Sequence, residues 1–546
     1  MILTSEQRSK EYVEAGLWGS RTLDRVLADI AAEHPDRAAF LDVIEGEPGS
    51  KLSYAEAHLR IEALAAFFAI LGLKADTVVG LHLPNAAEAS IVQFAAWRAG
   101  LVVAPLPLHW SDAEITRAIE LTGMKAIVTS AFVGGLATGE RMRDIAADNF
   151  AIRFVLGIGE DLPDGLIDLG EVLRDAEALG EAPAVPRHGN AADHVAALAF
   201  SRRDGSLVVA PYTHNQLIAC GIAHADAAGL ADGAVLCSSM LPGGLAAIGA
   251  GLAGMLATKG TFVCAQATSL GNLAATILVE PAEQAILPAG IADGVAEFLA
   301  AGSEERPGLS LVSASTDAQE TVVPAGFAVT DVSTLGGLVL VSSPRLEGVK
   351  TPLWPNGAWR LSDGRQIGTV GLKPRMRAGD RRPMPNSGEI VIKGAAVPDT
   401  PWPEPASGGG RVLAVNGEGL LRTGLFGEAT EEGRLVRPTG TIAETLAVGS
   451  ETFDLAALDT QFAKFPGLLD AATFRVADPL FGSRIGLAYV TSDGRSISRE
   501  DLEAFLSNQG LGEMMWPTLM VRIDAVPRSK DGRIQRSHLF KTAVAA

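Results

Sequence analysis

Apolar residues recur at helical spacing over 22–34, where Leu23, Val26, Leu27 and Ile30 share one face, and the run 38–43 then reads as a short buried strand. From there the pattern alternates. Helical periodicity over 54–71, 88–99 and 112–122 is interleaved with short apolar runs at 77–83, 102–106 and 126–129 that carry the length and β-branched content of strands. Such alternation predicts an α/β fold, with doubly wound, mostly parallel sheets covered by helices on both faces. A second βα region runs from 196 to about 341, after which short strands and Gly/Pro turns take over, as at Gly388-Glu389-Ile390-Val391-Ile392-Lys393-Gly394. The Pro- and Gly-rich 399–410 reads as a loop, and a small α+β unit of about a hundred residues closes the chain from 441. A chain of 546 residues exceeds what one core supports, so the expected division is a large domain over 1–440 and a small one over 441–546. There is no internal repeat and no low-complexity tail.

Composition narrows the function classes. With 64 acidic and 45 basic residues the formal charge is −19, which opposes attraction to phosphate backbones and anionic lipid, so no nucleic-acid partner is expected. Cys220, Cys237 and Cys264 are widely spaced in apolar surroundings and form neither a CxxC pair nor a His/Cys ligand cluster, which predicts buried packing thiols and a cytoplasmic location. The opening MILTSEQRSKEYVEAG lacks the basic-then-apolar order of a signal peptide. Residues 235–258 carry no charge and are long enough to cross a bilayer, but Pro242 and the repeated glycines favour a buried helix preceded by a loop, so no membrane span is expected. Gly249, Gly251 and Gly254 in that run match GxGxxG spacing without the preceding strand and following acid that a dinucleotide site requires.

The stretch 200–214, FSRRDGSLVVAPYTH, stands where a phosphate-gripping loop would be expected. Such a loop needs small residues so that backbone N–H groups approach phosphate, hydroxyls to donate, and a lysine to offset charge. Ser201, Gly205 and Ser206 fit; Asp204 would repel phosphate, and Val208-Val209 stand where a cation would help. No nucleophile-elbow motif and no HExxH or other metal-ligand spacing occurs, so no metal site is assigned. His214 reads as a residue that caps or packs the following helix, and His224, with Asp226, as a satisfied structural histidine.

Taken in order, the landmarks resemble the adenylate-forming superfamily of acyl-CoA and aryl-CoA synthetases, luciferases and peptide-synthetase adenylation domains. The likeness rests on Leu52-Ser53-Tyr54, Gly80-Leu81-His82-Leu83-Pro84-Asn85, Ala99-Gly100 through Pro105-Leu106, Gly371, Gly388 to Gly394, Arg422-Thr423-Gly424, and Pro527-Arg528-Ser529 with Gly532 and Arg536. Tyr12 and Gly16-Leu17-Trp18 before Arg21-Thr22-Leu23 are also similar to ligases of aryl or alicyclic acids. The resemblance implies an acyl-CoA synthetase-like large N-terminal domain and a small mobile C-terminal lid. It further implies ATP and Mg²⁺ for making an acyl adenylate and CoA or a carrier thiol for receiving the acyl group.

Residue by residue, the resemblance puts Ser201, Arg202, Arg203, Asp204 and Gly205 on the phosphate string and Val208 at its lysine. The magnesium-binding acid falls near 333–338, where STLGGL has none, and the ribose-binding acid after Arg422-Thr423-Gly424 is Leu425. The histidine expected after Leu241-Pro242 is replaced by Gly243-Gly244. Glu444 falls at the hinge acid, ahead of Gly449-Ser450-Glu451, and Arg533 at the C-terminal lysine, a planar fork in place of a point charge. Losing one transition-state donor typically costs on the order of 10² to 10³ in rate, and these losses converge on one nucleotide.

Three readings follow. The first is a noncatalytic or regulatory subunit that partners an active ligase homologue as a hetero-oligomer. The second is an active ligase using ATP, Mg and CoA, in which Arg202, Arg203 and Arg533 rebuild the phosphate site; against it, the two loop arginines read as solvated charges. The third is an ATP-independent binder of a hydrophobic or aromatic carboxylic acid or its CoA thioester.

Overall fold

The protein is described here as a computed structural model. It describes residues 1–546 except 204–205, 281, 314–320, 377–382, 404–412, 414, 417, 431, 442–443, 449–450, 479–480, 493, 530–531, 537 and 540–546. Predicted elements form close to their expected bounds: helices at Leu23–Glu33, Tyr54–Ile70, Ala87–Arg98 and Asp112–Thr122, and strands at Ala38–Ile44, Val78–His82, Val102–Pro105 and Ala126–Ser130. Helix starts follow local chemistry. Ser53 with Glu56, Ser111 with Glu114 and Thr213 with Gln216 each form a capping box, in which the two side chains satisfy each other's orphan backbone N–H groups.

Two large sheets carry the architecture. One has seven strands, ordered Ile167–Asp168, Phe154–Ile158, Ala126–Ser130, Val78–His82, Val102–Pro105, Val195–Arg203 and Ser206–Thr213, with every pairing parallel except the last. The other has eight strands, with parallel pairings from Ala38–Ile44 through Val329–Ser333 and an antiparallel strand at each edge. Between them the helices Ala87–Arg98 and His214–Ala228 are buried on nearly every face, which is why their sequences lack the polar stripe of a surface helix. An antiparallel sheet of six strands follows, and the chain closes with hairpin Thr445–Val448/Glu451–Asp454, a three-stranded sheet and helices Leu455–Phe462 and Arg499–Asn508. The protein therefore has the α/β fold of the acyl-CoA synthetases, large N-terminal sheets followed by a small α+β part. Two hydrophobic clusters lie wholly within 446–539.

Residues 235–258 divide into the strand Val235–Ser238, a loop, and a continuous helical run Ala247–Ala257 whose first part is wound in the wider π form. Its glycines serve packing. A Cβ on Gly251 would stand 2.8 Å from the Phe262 ring, and one on Gly221 of the facing helix 2.3 Å from the Ala253 backbone. Among the described residues no helix is long and apolar enough to cross a membrane. Cys220, Cys237 and Cys264 are free and buried, and burial pushes the Cys220 and Cys237 thiols up to about 12.

His82 and His224 are fully buried, and desolvation lowers each to about 4. His224 is held between Ser342 Oγ and Ser310 Oγ at 3.3 Å each. Asp226 instead accepts from the Ser362 backbone. Because the unfolded chain takes up these protons near pH 6.5 and the folded chain only near 4, each histidine costs the fold about 1.4 kcal/mol per pH unit across that window. The contribution of these two histidines is constant above pH 6.5, and it is expected to lower stability progressively from there toward pH 4. Denaturant midpoints across pH should show that slope, and His224→Asn should reduce it; an unchanged slope in the variant would contradict the assignment.

Candidate functional site

The stretch expected as a loop at 200–214 is a β-hairpin followed by a helix start. Val195–Arg203 and Ser206–Thr213 pair antiparallel in the register Ser201↔Val208, Arg202↔Leu207 and Arg203↔Ser206. The apolar run 207–210 is buried against the core, and that burial fixes the pairing. Ser201 is buried within its strand. The backbone of Arg203 completes the hairpin, and Gly205 lies outside the described residues.

Behind the hairpin sits the turn 335–337, which touches the strands Val195–Arg203, Leu421–Ala429 and Glu451–Asp454. Gly337 adopts φ +80°, and a Cβ there would lie 2.9 Å from the Phe200 carbonyl oxygen, so backbone meets backbone at this point. Tyr212 donates its hydroxyl to the Leu338 carbonyl at 2.6 Å. Leu338, which ends the stretch where the resemblance would put the magnesium acid, and Leu425, where it would put the ribose acid, are both core side chains. Thr423 is spent on the backbone: its hydroxyl donates to the Ile390 carbonyl at 2.7 Å and accepts from the Leu425 N–H at 3.1 Å, while Gly424 at φ +75° makes the bulge.

Arg202 is the centre of the site. Its guanidinium bonds Glu114 through one nitrogen and Glu451 through the other, and it lies 5.3 Å from the Trp110 ring centroid and 5.0 Å from that of Phe453. The three side chains are only 11%, 13% and 20% exposed for Arg202, Glu114 and Glu451, so this is a buried triad and not the solvated loop charge expected from sequence. Desolvation alone would lower the arginine, but the carboxylates of Glu451 and Glu114 outweigh it and hold it above its usual range. Glu114 is placed by helix geometry, since as the third residue of Asp112–Thr122 it also accepts from the Ser111 N–H at 2.9 Å with its other oxygen. Glu451 begins a strand of the closing hairpin. The triad therefore ties the C-terminal part to the seven-stranded sheet.

The other two predicted positions sit elsewhere. Glu444 pairs with Arg536 at 2.6 Å, and Arg536 also grips Asp459 at 2.7 Å, a network internal to the C-terminal part. Arg533 lies on an exposed turn closed by the Arg528↔Ile534 bridge. Neither is among the partners of Arg202. Among the described residues no group of three or more His, Cys, Asp or Glu side chains could hold a metal ion.

Beside the triad is a largely apolar cavity of about 120 Å³, walled by residues such as Leu83, Leu106, Ala199, Phe200, Leu245 and Val312. Gly243 and Gly244 also line it, at the place where the resemblance expects a histidine. Glu451, His109, Trp110 and Gln93 bring polar atoms to the lining. His109 and Trp110 also border a cleft of about 880 Å³ against residues 507–516. Sequence reasoning missed Glu114, Trp110, Phe453 and Gln93. The signals present were the Ser111-x-x-Glu114 capping pattern and a lone glutamine in the apolar helix 87–98.

Residues 27–201 match the model of the AMP-binding enzyme family. The salicyl-AMP ligase/salicyl-S-ArCP synthetase of Mycobacterium tuberculosis is 25% identical over 98% of this chain and 93% of its own length. The medium-chain fatty-acid–CoA ligase of Escherichia coli is 22% identical over 98% and 93%. Among solved structures, apo MbtA of Mycobacterium smegmatis superposes with a TM-score of 0.65 at 20% identity, covering 99% of this chain and 98% of that one. The amide bond synthetase McbA of Marinactinospora thermotolerans gives 0.73 at 18% identity, covering 96% and 99%. The AMP-binding match over 27–201 and the near full-length similarity to acid ligases support placing the chain in the adenylate-forming superfamily.

Removing the guanidinium would strand two partly buried carboxylates. Arg202→Met is expected to destabilise by about 3–5 kcal/mol, as breaking a buried pair typically does. Hydrogen exchange should speed up across 445–454, and Arg202→Met combined with Glu451→Gln should cost less than the sum of the singles. Additive singles, or unchanged exchange, would show that the triad does not secure the hairpin.

Proposed function

We propose that this chain is a noncatalytic member of its superfamily that binds a small aromatic or alicyclic acyl compound in the apolar cavity without making an adenylate. The observation that carries the reading is the saturation of Arg202: the arginine best placed to receive a phosphate already donates to Glu114 and Glu451. The triad sets two carboxylates against one guanidinium, a formal charge of −1 that opposes an incoming triphosphate.

The residues at the positions assigned by resemblance to nucleotide and magnesium do not fit a metal triphosphate. Leu338 and Leu425 are core residues with no oxygen to offer a metal or a ribose, and Thr423 spends its hydroxyl on the bulge. The same contacts weigh against an active ligase with a rearranged phosphate site, since Arg202 is engaged and Arg533 lies on a separate exposed turn.

The cavity supports the binding half of the reading. Its volume is comparable to the roughly 150 Å³ apolar cavity that takes up benzene. The adjoining cleft, which shares His109 and Trp110 with it, gives room for the carrier part of a CoA thioester. We further propose that the chain divides at 440/441, that the triad holds the C-terminal domain in one orientation, and that the protein acts as a regulatory subunit beside an active ligase homologue.

Calorimetry with Mg-ATP, together with pyrophosphate release across a panel of aromatic and alicyclic acids, is expected to show no saturable nucleotide binding and no turnover. Tight ATP binding with acid-dependent pyrophosphate release would refute the reading. In parallel, small aromatic ligands should raise the thermal midpoint by mass action, by about 2.7 kcal/mol of stabilisation at a hundredfold excess over Kd.

A further inference from the structure

The helix Ala87–Arg98 turns Gln93 inward, and the side chain is 0% exposed and lines the cavity. Neither its amide oxygen nor its amide nitrogen has a hydrogen-bond partner. The nearby cavity wall supplied by Leu81, Leu83 and Ala89 has no side-chain donor or acceptor to offer. A buried unpaired amide is expensive, and leucine or methionine of similar size would fill the same space without that cost. The indole N–H of Trp110, also buried and lining the cavity, is unpaired as well, while its ring is fixed against the Arg202 guanidinium.

From these orphaned groups we infer that the cavity ligand presents an uncharged polar head with one donor and one acceptor, a primary carboxamide or an un-ionised carboxyl group, to the amide of Gln93. The inference rests on the reading of the cavity as an acyl-compound site and specifies the chemistry of that compound. A glutamine amide offers a carbonyl and an N–H side by side, and a carboxamide returns the complementary pair. An ionised carboxylate returns acceptors only, leaving the Gln93 carbonyl facing negative charge. It would also meet the net negative charge of the Arg202–Glu114–Glu451 triad at the cavity border, in a medium that screens poorly. A wholly apolar ligand would leave the amide unpaired. Gln93 is thus a specificity-determining residue, and its burial is the stability cost of that specificity.

The test uses benzamide, benzoate and toluene as probes of the full-length protein at pH 7, with Kd read by calorimetry or ligand-observed NMR. Benzamide is expected to bind at least tenfold more tightly than toluene or benzoate. In Gln93→Met and Gln93→Leu the preference over toluene should collapse to near unity, toluene should bind at least as well as before, and the ligand-free thermal midpoint should rise. The midpoint also reports that the variants fold. A benzamide preference that survives both substitutions, or benzoate as the tightest probe, overturns the inference. Binding of toluene with no preference for benzamide overturns the role of Gln93 but leaves the cavity as an apolar site. Failure of all three probes to bind removes the cavity reading and this inference with it.

Discussion

A guanidinium held between two carboxylates inside a protein is neutralised where it sits, and removing it leaves two partly buried carboxylates without a counter-charge. Arg202 meets that condition with one partner from the helix Asp112–Thr122 and one from the closing hairpin, and aromatic rings of Trp110 and Phe453 take its faces. The pairing therefore joins the closing hairpin to the seven-stranded sheet, and it occupies both ends of the guanidinium fork.

Around that pairing the packing is largely apolar. Leu338 and Leu425 contribute to the main core, and the backbone near them is ordered by Tyr212, Thr423 and the left-handed Gly337 and Gly424. Frame and bulge persist because they serve the fold, whatever side chain projects from them. Beside the triad lies the cavity, whose lining holds polar atoms of Gln93, His109 and Trp110 that lack hydrogen-bond partners, groups that a fold without a ligand has little reason to bury.

Much of the architecture was legible from periodicity because long, strongly patterned segments bury one face wherever they sit. Helices over 54–70 and 112–122 and the parallel strands between them needed no tertiary information. The hairpin at 195–213 was obscured because its buried run 207–210 is continuously apolar and the turn between strands is charged, so the stretch carried no period-two signature. Glu114 was visible only as half of a capping box, and that local role gave no hint of its second oxygen's use.

The order of the helices and strands and the α/β class were determined by the sequence alone, since each depends on residue type and local spacing. Which charges meet was decided only by tertiary structure. Arg202 and Glu451 are 249 residues apart, and no local rule distinguishes an arginine that waits for phosphate from one already neutralised by carboxylates brought from elsewhere in the chain. The physical reason is that a charge's role is fixed by its burial and its neighbours, and both are set by packing.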